Sequence, residues 1–177
     1  MGFTFPKVFD VKLLNQVVQS PEYLPGQTIR CGFVWFKIAS RDGLKYVMSP
    51  GFVRMPIEWV DDLSSAQGLL MSQIEAADRY GGVPDSCHMM QTLICPKTPL
   101  PWERMALIRN ITPSERESGW LINDLDGGVD LEDPVQMQAM TLYEASVRFP
   151  FLARFFQLPS LAIVHDFHLP VQTVNLG

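Results

Sequence analysis

Residues 117–134 read ESGWLINDLDGGVDLEDP, and three signals succeed one another in them: a strand entry, an acidic loop and a helix start. Ser118-Gly119-Trp120-Leu121-Ile122 is a glycine turn running into apolar residues, the pattern of a strand joining a sheet. Asp133, Pro134 and Gln136 spell a helix N-terminus, because the Asp side chain can accept from an orphan backbone N–H, Pro supplies a first-turn φ and Gln can reach back. The expected helix covers 134–149, with Val135, Ala139, Leu142, Ala145 and Phe149 on its buried side. Over 115–133 the acids Glu115, Glu117, Asp124, Asp126, Asp130, Glu132 and Asp133 face one base, Arg116, a net −6 against −5 for the whole chain. The remainder of the chain is therefore nearly neutral.

Working outward, the sequence alternates helix and strand signals. Residues 10–19 place Val11, Leu14, Val17 and Val18 at helical spacing, and Ser20-Pro21 stops them. Residues 29–38 (IRCGFVWFKI) carry apolar side chains on both faces, as a central strand requires, and Arg41-Asp42-Gly43 turns the chain into a hairpin partner at 44–48. Asp61 or Asp62 opens a second helix that runs to about residue 80, with Leu63, Ala66, Leu70, Ile74 and Ala77 on one stripe and Gly81-Gly82 as its stop. Strands are expected at 88–95, 104–111 and 161–164, and a short helix at 151–156. The fold class is α+β, a mostly antiparallel sheet with two main helices packed on it. Residues 1–177 read as a single domain, with the proline-rich bend at 96–101 as the candidate internal boundary.

Composition narrows the function. A pI near 5.1 argues against a protein that grips phosphate backbones, so direct nucleic-acid binding is not expected. Cys31, Cys87 and Cys95 are an odd number without CxxC spacing, which fits reduced core thiols and a cytoplasmic location. Neither an export signal nor a run long enough to cross a membrane is visible.

The chemistry-bearing residues do not assemble into a catalytic pattern. Asp124-x-Asp126-x-x-x-Asp130-x-Glu132 resembles a calcium loop, but it lacks the acid at the fifth position and the glycine at the sixth, and its twelfth residue is Val135. A solvated loop whose acids complement a helix dipole, or a protein-binding surface, are the competing accounts. On a strand His165 and His168 point to opposite faces, as do the neighbours Cys87 and His88, so neither pair converges. Ser118 lacks the G-x-S-x-G elbow. No catalytic residue, metal site or cofactor is expected. Trp35, Trp59 and Trp102 read as core, whereas Trp120, beside the acids, is the tryptophan assigned toward an interface.

Residues 106–166 carry a strand, Glu117-Ser118-Gly119-Trp120, an acidic stretch, Glu132-Asp133-Pro134, a helix, and a terminal strand after Phe149-Pro150-Phe151-Leu152. In this order they resemble a family of small bacterial immunity proteins, encoded beside polymorphic toxins or secreted interbacterial effectors. The resembling region, taken as 104–168, is about the C-terminal third of the chain, and the first hundred residues do not share it. The resemblance implies a non-enzymatic protein that binds and neutralises a cognate toxin. Glu117, Trp120, Asp124, Asp126, Asp130, Glu132 and Asp133 are the expected contact residues, and an acidic surface suits the basic cleft of a cytosol-acting nuclease. A regulatory adaptor of a larger assembly is the alternative, and an enzyme is disfavoured. The sequence leaves the oligomeric state open.

Overall fold

A computed structural model describes residues 10–80, 87–110, 115–165 and 167. It is an α+β fold with two sheets. The chain begins with α1 (Val11–Val17), where the Asp10 carboxylate accepts from the Lys12 N–H at 2.8 Å as an N-cap. An antiparallel meander follows: β1 (Thr28–Cys31), β2 (Val34–Arg41), β3 (Leu44–Pro50) and β4 (Trp59–Val60), paired in that order. Arg41 faces Leu44 across a two-residue turn in which Asp42 and Gly43 have φ of +52° and +78°. Left-handed backbone at both positions is what a tight hairpin demands, and Asp-Gly supplies it cheaply.

The single strand expected over 29–38 is instead two. Cys31 pairs with Val34 around a turn at Gly32 (φ +59°) and Phe33. The apolar character that suggested a central strand belongs in part to that turn, whose Phe33 is fully buried with its ring stacked 5.9 Å from Phe156.

Helix α2 (Ser64–Arg79) starts beside Asp62, whose carboxylate accepts from both the Ser64 N–H and its hydroxyl. The expected stop at Gly81-Gly82 lies outside the described residues. Ala66, Leu70 and Ala77 are buried as their spacing predicts. Gln73, assigned to the polar side, is buried too, because its Nε2 donates to the Ala153 carbonyl at 2.8 Å across the packing interface.

The second sheet comprises β5 (Thr92–Pro96), β6 (Met105–Arg109), β7 (Glu117–Asp124), β8 (Met137–Thr141) and β9 (Ile163–His165), in the order β8-β5-β7-β6-β9. Only β5 and β7 run parallel among its pairs. The sheet takes strands from both sides of the proline-rich bend at 96–101. Leu93, Cys95, Leu107, Trp120, Ile122, Met140 and Val164 point from its inner face into the core shared with the first sheet and α2.

The helix expected over 134–149 is corrected here. Residues Met137–Thr141 are strand β8, and the helix α3 spans only Leu142–Arg148, continuing through a 3-10 segment, Pro150–Phe155. Without β8 one edge of β5 would lack a partner, and the pairing of Leu93 with Met140 and Ile94 with Ala139 satisfies it. The tertiary requirement overrides a helical spacing whose supposed inward residues Val135 and Ala139 are exposed. Asp133 is therefore not the cap of this helix. Thr141 is: its Oγ1 accepts from the Glu144 N–H at 3.1 Å, the start of a Thr-x-x-Glu motif. Of the two main helices expected, only α2 is long.

Candidate interaction surface

The acidic loop joins β7 to β8, and it is held at both ends. At the first end Asp124 closes β7 with its side chain fully buried. Arg104, in the 3-10 turn Trp102–Arg104 ahead of β6, reaches it with two donors, Nε to Oδ1 at 3.1 Å and Nη2 to Oδ2 at 2.5 Å. The forked geometry suits a carboxylate. The N–H groups of Asp126 and Gly128 also donate to Asp124, at 3.2 and 3.1 Å. The Arg104 guanidinium, first, and these backbone donors hold the Asp124 carboxyl below its ordinary pKa. Gly127 has φ +68°, and a Cβ on Gly128 would lie 3.0 Å from Asp124 Oδ2 and 3.1 Å from Arg104 Nη2. The Gly-Gly pair thus lets the loop fold over the ion pair.

At the other end Asp133 accepts from the Val135 N–H at 2.8 Å and from Gln136 Nε2 at 2.9 Å, which lowers its pKa. Lys97 fastens this end to β5: its N–H donates to the Gln136 carbonyl and its Nζ to the Val135 carbonyl, each at 2.8 Å. Between the two anchors Asp126, Asp130 and Glu132 are exposed. Asp126 shares Arg104, with Oδ2 2.8 Å from Nε, but remains 64% exposed. Asp130 uses one oxygen to accept from the Glu132 N–H at 2.9 Å. The result is a braced turn that presents carboxylates to solvent.

Of the seven expected contact residues, four remain exposed or half-exposed together on this loop: Asp126, Asp130, Glu132 and Asp133. Asp124 is corrected to a structural role, because its oxygens are consumed by Arg104 and the loop backbone. Trp120 is corrected to the core. It is 1% exposed, its Nε1 donates to the Phe156 carbonyl at 3.0 Å, and the Arg109 guanidinium stands 5.4 Å from its ring centre. Glu117 is exposed but sits at the opposite end of β7, roughly 23 Å from Asp124 at the usual rise of a strand. Arg104, Lys97 and Gly128 give the loop its shape, and no local pattern marked them: Arg104 and Asp124 are twenty positions apart.

Other candidate groups do not gather. His88 lies with its ring 5.6 Å from Trp35, and burial, reinforced by the Arg30 charge, lowers its pKa against the pull of Glu115. His165 is exposed on the edge strand β9, and His168 is outside the described residues. The three cysteines are free thiols. Among the described residues a cavity of about 350 Å³ is lined by Trp102, Phe151, Arg154 and Phe167, and the charged group among them is engaged, with Arg154 Nη2 donating to the Phe167 carbonyl at 2.8 Å. Among the described residues no group of three or more His, Cys, Asp or Glu is arranged to hold a metal ion, and no helix is long and apolar enough to cross a membrane. Compared with protein-family models, with curated proteins and with solved structures, the chain matches none.

Proposed function

We propose that this chain is a non-enzymatic binding protein of the immunity type, which neutralises a cognate toxin in the cytoplasm by covering a basic surface of it. The observation that carries the reading is the braced loop: Asp126, Asp130 and Glu132 are held exposed between two anchors. Such carboxylates contribute little to the stability of the free protein, since exposed charges are worth about 0–1 kcal/mol each. Facing a basic cleft, they speed encounter and fix orientation. A nuclease-type effector, whose substrate is itself a polyanion, presents that kind of cleft. The resemblance over 106–166 supports the same reading.

The test is co-expression with the product of the open reading frame adjacent to this chain's gene. The expected result is that the adjacent product alone arrests growth, and that this chain restores growth and co-elutes with it in a fixed stoichiometry. Arrest that persists while the two proteins remain separate on a column would refute the proposal.

A further inference from the structure

The outer face of the five-stranded sheet is crossed by one unbroken apolar row. Cross-strand pairing puts Ala139 beside Ile94, Ile94 beside Leu121, Leu121 beside Ile108, and Ile108 beside Ile163. The row visits all five strands, and four inter-strand steps make it about 19 Å wide. The alternate residues Leu93, Trp120, Leu107, Met140 and Val164 face the core, whereas these five are neither in the core cluster nor packed against it among the described residues. Ala139 and Ile94 are exposed and Leu121, Ile108 and Ile163 half-buried; Ile94 is 43% exposed although its strand is flanked on both sides, so its exposure comes from the face and not from an open edge. Apolar side chains in a row across the solvent side of a mostly antiparallel sheet are unusual, because a face left to water ordinarily alternates to polar. A contiguous set of this kind marks a contact surface.

Charge indicates what covers it. The outward positions of the five strands hold no lysine or arginine, and acids outnumber bases at both ends of the face: Glu115 and Glu117 about Arg116 where β7 begins, and Asp126, Asp130, Glu132 and Asp133 against Arg104 and Lys97 where it ends. A second copy of the chain laid face to face would set acid against acid in either orientation. A partner with an apolar centre and a basic rim meets the whole surface, apolar at its core and charged at its edge as stable interfaces are.

We infer that the row Ala139–Ile94–Leu121–Ile108–Ile163 is the apolar core of the partner interface, and that the acidic loop is its rim. This rests on the proposed toxin-binding function and deepens it: the loop governs how fast the partner arrives, and the sheet face governs how long it stays.

The test uses the full chain and the purified product of the adjacent open reading frame, with association and dissociation rates measured separately. Ile94→Asn places a neutral polar group within the row, at its most exposed isoleucine and one strand in from the edge, and Ala139→Asn does so on the edge strand itself should the first variant fold poorly by circular dichroism. The expected result is dissociation at least about tenfold faster, with the association rate and its salt dependence unchanged. Folded variants that dissociate like the wild type would overturn the inference and leave the toxin-binding reading standing. Absence of binding by the wild type would instead overturn that reading, and the inference with it. Sedimentation showing a wild-type dimer that Ile94→Asn dissolves would also overturn the inference, by assigning the face to a second copy.

Discussion

Replacing Trp120 by Phe separates a core tryptophan from an interface tryptophan. The indole is fully buried, stands 6.2 Å from the Phe156 ring and donates to the Phe156 carbonyl at 3.0 Å. Phe removes the donor and contracts the ring. The other donor to that carbonyl, Arg109 Nη1, lies at 3.5 Å and replaces the lost bond only weakly. An under-satisfied buried acceptor costs about 1–3 kcal/mol, and the void left by the smaller ring adds a part of the 3–5 kcal/mol typical of full truncation to Ala. The combined expectation is about 2–4 kcal/mol. For a chain of this size each kcal/mol lowers Tm by roughly 2–4 °C. Urea unfolding followed by fluorescence and circular dichroism should show a lower midpoint at unchanged m-value. The folded variant should bind the adjacent gene product as the wild type does. A Trp120→Phe protein within about 0.5 kcal/mol of the wild type in stability, yet deficient in binding, would return Trp120 to the interface and refute the core assignment.

Thr141→Ala should destabilise the protein by about 0.5–2 kcal/mol through loss of the α3 cap, whereas Asp133→Ala should leave helix content by circular dichroism unchanged. Gly68 lies inside α2 with nothing within 4 Å of a Cβ built on it, so Gly68→Ala should raise stability by about 1 kcal/mol in urea unfolding. Gly128→Ala should lower the denaturation midpoint, because its Cβ intrudes on the Arg104–Asp124 pair. The folded-state pKa of Asp124 is depressed, so its ionised form contributes stability that is present above the unfolded carboxylate pKa of about 3.9 and is lost as pH falls through the folded value. Asp124→Asn should therefore be clearly less stable than the wild type at pH 7, with the gap narrowing progressively below about pH 4 in parallel urea titrations.

The elements legible in the sequence are those whose cause is local. Asp42-Gly43 announces its hairpin because few residues accept two successive positive φ values. Trp120 and Ile122 alternate with Leu121 and Asn123, and α2 carries its apolar stripe at helical spacing, so both elements lie where the pattern puts them. Residues 137–141 were illegible for the opposite reason. Their conformation is set by β5, more than forty positions away in sequence, which needs a partner on that edge. The candidate site divides the same way. Counting charges identifies an acidic loop, but nothing local distinguishes Asp124, neutralised by Arg104 and buried, from Asp126, which shares the same guanidinium and stays in solvent. Trp120 misled because its neighbours in sequence are acids, while its neighbours in space are Arg109 and Phe156.

The central claim is that the exposed loop carboxylates steer a basic partner. Asp124 must be left intact in testing it, since its substitution would disturb the fold and confound the readout. The direct measurement is the association rate of the adjacent gene product with the wild type and with an Asp126→Asn, Asp130→Asn, Glu132→Gln variant, each at low and at high ionic strength. The account predicts a variant that folds like the wild type, associates more slowly at low salt and shows a weaker salt dependence, with its dissociation rate little changed. A folded variant whose association rate and salt dependence match the wild type's would contradict it.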